Sequence, residues 1–429
     1  MMPRRLLVSI LVSLVTALAG AQGSPTSPAQ APPSGQSQTL TKEQREEILK
    51  GISEIVVDRA FAVGVDQSKW PEYVAKHREE IDKAETEVAF AREVNRALRE
   101  FGLSHLRLRT PRAAQTRRDG PSAVGLGIRA EAESNAGLRV TAVLPNSPGA
   151  AAGLEPGDLI VKVDGSPASS MESLNGEENS KAKLDIKKKD GAEKSVEVTR
   201  ARFSPVVPDG LSWQGPEAAV LRIRSFSRTY QREKIEEMLA EASKAKYLVL
   251  DLRSNGGGLA SNLHHLLGLL LPPDTAYGTM IGRRTVQQYV EATKKEPNDP
   301  VAIAAWAPNK RRTQKGRVEP FQGKIAVLIN RGSGSASEMV AAALKELAGA
   351  PLIGSRTAGA VLSSTFGRLP HGFEIQYPVS DYVTVRGLRL EGNPLQPDVE
   401  VATGEGADAA IEKALEKLRS GESVLPLAA

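Results

Sequence analysis

The stretch Lys324-Ile-Ala-Val-Leu-Ile-Asn330, Arg331-Gly-Ser-Gly334, Ser335-Ala-Ser-Glu-Met-Val340 holds residues suited to chemistry. An apolar strand enters a glycine-rich turn and leaves as a helix. A serine hydroxyl at such a junction stands on the rim of a sheet, where the first N–H groups of the helix face any oxyanion that it creates. This is the layout of a nucleophile elbow without the G-x-S-x-G spelling. Ser333, Ser335 and Ser337 all occupy the turn, and serine at a helix start is a preferred cap, so at least one of them is expected to do only that. A second loop, Asp251-Leu-Arg-Ser-Asn-Gly-Gly-Gly258, ends another apolar strand. Its glycines let backbone N–H groups approach a ligand unobstructed. A phosphate cradle is the competing reading, but no Gly-Lys-Ser/Thr follows. The chain has no cysteine, which excludes a thiol nucleophile, a disulfide framework and Cys-ligated metal. His77, His105, His264, His265 and His371 form no tight metal-binding pattern, so neither a metal nor another cofactor is expected.

The chain that positions these residues has 429 of them, enough for two or three domains. With 40% hydrophobic and 25% charged residues it has the composition of a soluble globular protein. The formal charge of +5 is too small to argue for nucleic acid. Arg4-Arg5, the apolar run Leu6 to Leu18 and Ala19-Gly20-Ala21 read as an export signal over 1–21, which places the mature protein outside the cytoplasm with no stable membrane span. A Pro/Ser/Gln/Ala-rich linker over 22–40 follows. Thr41-Lys-Glu-Gln44 reads as a capping box and opens a helical module over 41–121, whose later helix carries Phe90, Val94, Leu98 and Phe101 on one face and stops at Gly102. Short strands separated by Gly, Pro and Asn fill 122–202. From 203 to 406 strands alternate with helices, the pattern of an α/β core, and 407–429 is a closing helix and tail. Lys345, ten residues past Ser335, reads as a solvated surface charge. His264-His265 reads as packing or surface, and His371 as a turn residue held as a reserve base.

In the 122–202 segment the small-residue run Pro148-Gly-Ala-Ala-Ala-Gly-Leu154, the turn Pro156-Gly-Asp158 and the strand ending in Asp164-Gly165 resemble a PDZ domain of the bacterial protease type. The resemblance implies that the loop Gly125-Leu126-Gly127-Ile128 offers N–H groups to the C-terminal carboxylate of a peptide, which adds as a strand. The segment matching the groove-lining helix, Ser169 to Leu174, is shortened to little more than a turn. A structural hairpin with no ligand is the plainer alternative.

The Asp251 to Gly258 loop, Ser335-Ala-Ser-Glu338, Gly354 to Gly359 and Gln396-Pro-Asp-Val399 together resemble the tail-specific, or carboxy-terminal processing, serine proteases, over roughly Leu98 to Val401. The resemblance implies a multi-domain α/β fold: a crotonase-like protease core with an inserted PDZ domain and an N-terminal helical module. It makes Ser335 the nucleophile, with an oxyanion hole from the N–H groups of Ala336 and Gly257. The best-known branch uses a lysine base in a Thr-x-Gly-Lys-Gly loop, but here Thr357-Ala-Gly-Ala360 puts alanine at that place. Ser104-His105 instead resembles the pair supplied by the tricorn-like branch upstream of its PDZ domain, and Glu391 the glutamate that completes that branch's tetrad. Histidine, with an ordinary pKa near 6.5, suits proton transfer at neutral pH. Leu103 stands where the family usually has Asp. The implied function is an exported serine endopeptidase that cuts proteins near their C-termini through an acyl-enzyme, its PDZ domain selecting substrate tails or hindering access until one binds. A non-catalytic peptide- or ligand-binding protein on the same fold is the alternative.

Overall fold

The computed structural model describes residues 38–133, 136–401 and 409–421. The expected leader and all but the last three residues of the expected linker lie outside the described residues. Among the described residues no helix is long and apolar enough to cross a membrane.

Helix α1 (Lys42–Asp58) starts at a capping box in which Thr41 accepts from the Gln44 N–H and Gln44 bonds back to the Thr41 N–H. Ile48, Ile52 and Val56 meet Phe90, Val94 and Leu98 of helix α2 (Glu87–Glu100), as their spacing requires. The same apolar cluster takes in Leu362, Leu369, Phe373, Ile375 and Tyr377 from far along the chain. The helical module thus shares its core with the sheet that follows, and has a fixed place on it. After α2 the backbone turns at Gly102, whose φ of +86° suits glycine, and passes into strand β1 (Arg107–Arg109). Helix α3 (Pro111–Asp119) then leads toward the next unit.

That unit is an antiparallel sheet in the order β2 (Ile128–Glu133), β3 (Gly137–Val143), β4 (Leu159–Val163), β5 (Lys181–Lys187), β6 (Glu193–Thr199), around Leu138, Ile160, Leu184 and Ile186. The segment between β4 and β5 holds a two-residue strand, Ser166–Pro167, paired back on β4, and a 3₁₀ turn, Met171–Leu174.

The core sheet runs β7 (Gly210–Trp213), β8 (Ala218–Arg222), β9 (Tyr247–Asp251), β11 (Lys324–Ile329), β12 (Leu352–Gly354) and β15 (Val399–Glu400), parallel throughout except β7. Strand periodicity sends alternate residues to opposite faces. Leu248, Leu250, Ile325, Val327 and Ile329 pack with helices α4 (Arg232–Ala242), α5 (Ala260–Leu270) and α6 (Ala336–Ala348). Val249, Ala326 and Leu328 pack under helix α7 (Ala409–Ser420). Both faces are therefore covered, which is why these strands read as unbroken apolar runs.

A second sheet is built on the long strand β14 (Glu374–Thr384). It pairs with β1, with β13 (Ser363–Arg368) and with β10 (Ala276–Gly282). Because β1 follows His105 directly, this pairing carries the histidine segment to the core. One expectation fails: Lys345 is buried, not solvated, and pairs with Asp398 at 2.5 Å. Helix α6 has core on nearly every side, so a lysine on its inner face needs a carboxylate partner.

Candidate active site

Strand β11 delivers the chain into the turn before α6, and the structure separates the three serines. Ser333 Oγ donates to the Leu252 carbonyl at 2.8 Å and Ser337 Oγ to the Asn255 carbonyl at 2.7 Å, both fully buried. Ser335 is the half-exposed one. Its backbone has φ 56° and ψ −117°, a conformation that costs a non-glycine residue roughly 1–3 kcal/mol. Neighbours impose it. The Ser335 N–H donates to the Ala360 carbonyl at 2.9 Å and to Glu338 Oε2 at 3.1 Å, while the Gly334 N–H donates to the Asn255 carbonyl at 3.1 Å.

Glu338 organises this turn and was not singled out from the sequence. Its buried carboxylate accepts from Thr357 Oγ1 at 2.5 Å and from the N–H groups of Gly359, Ala360 and Ser335 at 2.8–3.1 Å. Burial pushes its pKa up, against the downward pull of those four donors. The Ser335-x-x-Glu338 spacing is a capping-box pattern and could have given it away.

The histidine comes from the other direction. Leu103 and Leu106 are buried on either side of Ser104-His105 and fix the segment, and His105 has φ 59°, in the left-handed region. Ser104 Oγ donates to Glu391 Oε2 at 2.8 Å, and the Ser104 N–H donates to Glu391 Oε1 at 3.1 Å. Ser104 Oγ also lies 2.9 Å from His105 Nδ1. A hydroxyl has one proton, and here it goes to the carboxylate, so Nδ1 must donate and Nε2 keeps a bare lone pair. Glu391 Oε2 also accepts from the Val361 N–H at 2.8 Å. The dipeptide Ala360-Val361 thus joins both halves: its first carbonyl holds the Ser335 N–H and its second N–H holds Glu391. Ser104, His105, Glu391 and Ser335 converge on one loop, although no direct hydrogen bond links His105 to Ser335. Burial lowers the His105 pKa below 6.5, and the Glu391 charge opposes this.

At the start of α6 the N–H groups of Ser337, Glu338 and Met339 donate to the carbonyls of Gly334, Ser335 and Ser335, whereas the Ala336 N–H has no such partner among the described residues. Gly257 lies against the same point. With φ +92°, a side chain there would meet Ser335 Cβ at 2.7 Å and the Ala336 nitrogen at 2.9 Å. The expected availability of the Gly257 N–H needs correcting, since it donates to Asn255 Oδ1 at 3.0 Å. Asn255 is buried with its Nδ2 on the Ile223 carbonyl at 2.9 Å, which aims its oxygen at the loop.

The other histidines lie elsewhere. His265 bonds Tyr230 and Glu236, His264 packs edge-on to Tyr277, and His371 pairs with Glu47 at 2.7 Å. In the antiparallel unit Leu126 and Gly127 link two strands. Their carbonyls accept from Gly149 and Leu144, and their own N–H groups make no backbone hydrogen bond among the described residues. Gly125 ends the strand before this loop and Ile128 begins β2.

A covered α/β core thus holds a strained serine at a helix start and a Glu391–Ser104–His105 hydrogen-bonded chain beside the same loop, preceded by a small β unit. Residues 217–401 match the model of peptidase family S41, and residues 139–187 match that of the PDZ domain. The chain is therefore similar to peptidase family S41 over 217–401 and to a PDZ domain over the stretch ahead of it. It is 29% identical over 289 residues to the carboxyl-terminal-processing protease of Synechocystis sp. (strain ATCC 27184 / PCC 6803 / Kazusa), which covers 65% of this chain and 62% of that protein. It is 25% identical over 288 residues to a probable CtpA-like serine protease of Staphylococcus haemolyticus (strain JCSC1435), covering 65% and 53%. The chain thus spans between half and two thirds of the length of these relatives. Its fold is similar to that of the tricorn protease, with a TM-score of 0.58 at 17% identity, covering 87% of this chain and 37% of that one.

Proposed function

We propose that the chain is an exported serine endopeptidase which cuts protein substrates near their C-termini, with Ser335 as nucleophile and His105 as general base. The observation that supports this best is the hydrogen-bond order Glu391–Ser104–His105, which leaves Nε2 as the acceptor. His105 Nε2 takes the Ser335 proton as Oγ attacks the scissile carbonyl carbon, and returns it to the leaving amine, giving an acyl-enzyme. The base then deprotonates a water that releases the acid. Glu391, through Ser104, steadies the imidazolium formed in each step. The Ala336 N–H faces the developing oxyanion. The Gly257 N–H becomes the second donor once it turns from Asn255 Oδ1. Ala360 cannot take up a proton, so a lysine dyad at that place is absent. The Leu126–Gly127 N–H groups of the PDZ domain suit a substrate's terminal carboxylate, and the 1–21 segment suits export.

A fluorophosphonate reagent tests the nucleophile. It is expected to phosphonylate Ser335, located by tryptic mass spectrometry, and to stop casein hydrolysis in step with labelling. Casein hydrolysis that persists in fully labelled protein, or a label on another serine, would remove Ser335 from the role. Absence of both labelling and hydrolysis would favour the binding-protein alternative.

The base has its own signature. His105 must be neutral to accept a proton, and its pKa is lowered, so activity should extend to more acid pH than an unperturbed histidine allows. The acid limb of kcat/KM on a labelled unfolded protein is expected to have its midpoint below 6.5. A midpoint above 7 would point to a different base.

A further inference from the structure

The residues that leave the two halves of the site run side by side into a strongly basic surface. From His105 the chain enters β1 with Arg107 and Arg109, and from Val361 it enters β13 with Phe366 and Arg368. Both strands pair with β14. The register sets Arg109 and Arg368 on either side of Glu374, and Arg107 and Phe366 on either side of Gln376. Leu108 and Ile375, one residue off in register, point the other way into the apolar cluster shared with α1 and α2. The outward face is therefore the arginine face, and α3 lies along it, contributing Arg112, Arg117 and Arg118. A shallow, open depression of about 530 Å³ lies there against β1 and α3, lined by Arg109, Thr110, Arg112, Thr116 and Arg117.

Six arginines share this face with one buried carboxylate. Glu374 is already taken by Arg117, in a bidentate pair at 2.6 and 2.7 Å, with Arg118 at 3.7 Å. Arg117 also stacks on the exposed Phe366 ring, its guanidinium carbon 4.0 Å from the centroid. Arg109 bonds Gln376 with one Nη, while its buried Nε has no partner. Arg112 and Arg368 are exposed and make no ion pair among the described residues. Burial and the neighbouring Arg107 and Arg117 charges lower the Arg109 pKa, as expected where positive charge is short of a counter-ion.

Such a surface favours carboxylates, which guanidinium groups bind in bidentate fashion, and the Phe366 ring adds an apolar floor. At ~3.3 Å per residue the basic face begins at Arg107, within about 7 Å of His105, and ends at Arg368, within about 23 Å of Val361. An extended substrate would reach it two to seven residues from the scissile bond. Resting on the protease reading, we propose that the arginine-rich face formed by β1, β13 and α3 binds an acidic segment of the protein substrate a few residues from the bond that is cut. It would make the enzyme prefer substrates with Asp or Glu at that distance.

The test uses the full chain with Ser335→Ala, so that nothing is cut, and a rhodamine-labelled octaglutamate peptide followed by fluorescence anisotropy. Saturable binding is expected, weakening as salt is raised. The double variant Arg112→Gln/Arg368→Gln, both exposed positions, should bind roughly tenfold more weakly, from about twofold to fivefold for each exposed pair. Arg109→Gln should weaken binding as well, with an unchanged circular dichroism spectrum and melting curve for the exposed pair as the folding control. Octaserine should not bind. Absence of octaglutamate binding, equal binding by both variants, or equally tight binding of a labelled octathymidylate would overturn the proposal, the last by showing a general polyanion surface. Casein hydrolysis by the unmutated enzyme is read separately. Hydrolysis without octaglutamate binding leaves the protease and removes the arginine-rich face as a binding site. Binding lost in the variants while casein is never cut leaves an acidic-peptide site and removes the protease.

Discussion

Ser335→Ala and His105→Ala are each expected to lower kcat for casein hydrolysis by roughly 10⁴- to 10⁶-fold, and the double variant hardly further. Neither residue completes the proton transfer alone. Serine without a base is a poor nucleophile, and the base without Ser335 has only water to activate. KM should change little, because neither side chain is placed to hold the substrate backbone. Ser104→Ala should fall between these variants and the unmutated enzyme. It removes the hydroxyl between Glu391 and His105 Nδ1, so the ring loses the acceptor that fixes its tautomer, while Nε2 remains. The measurement is steady-state hydrolysis with purified variants whose melting curves match the unmutated chain. If His105→Ala keeps more than about a tenth of the activity, the relay is structural and another base is at work.

The second large effect concerns Glu338, and it falls on stability as well as rate. Glu338→Ala strips three donors, Thr357 Oγ1 and the N–H groups of Gly359 and Ala360, of their acceptor, and leaves the Ser335 N–H with only the Ala360 carbonyl. At about 1–3 kcal/mol for each unsatisfied group, with water recovering part, the loss should be about 3–5 kcal/mol. Urea unfolding of the Ser335→Ala protein, with and without the Glu338 change, measures it. Glu338→Gln keeps one carbonyl oxygen but turns an amide NH₂ toward two donors, and should cost about half as much. Rate should fall too. Released from Glu338, Ser335 relaxes from φ 56° and the 357–360 loop loosens, a displacement for which about a hundredfold loss in kcat is reasonable. A merely structural role would lower stability but leave kcat per folded molecule unchanged. Partial rescue of kcat by Gln over Ala would mark Glu338 as the residue that positions the nucleophile.

Much of this was legible in the residues. The apolar runs Tyr247–Asp251 and Lys324–Ile329 could only be strands covered on both faces, since nothing in them alternates. The Thr41 capping box and the apolar face of α2 follow from spacing alone, because helix ends and faces are local physics. Motif order pointed to Ser335, Ser104-His105 and Glu391. What the sequence left open was long-range. Which of the three serines is exposed depends on Leu252 and Asn255, some eighty positions away, whose carbonyls bury Ser333 and Ser337. The burial of Lys345 depends on Asp398, 53 positions on. The engagement of the Gly257 N–H is a matter of one side-chain rotamer, fixed by the Ile223 carbonyl.

The sequence by itself determined the kinds of group available: a serine at a helix start, one histidine beside a serine, a glutamate near the end of the core, and alanine where a lysine base would stand. Only the tertiary structure decided who holds whom. Ser104 and Glu391 meet across 287 positions, and Ala360-Val361 ties that pair to the serine turn. The reason is physical. Local propensity fixes a helix or a turn within a few residues, whereas a hydrogen bond between distant segments forms only after the sheets and the shared apolar core have brought them together.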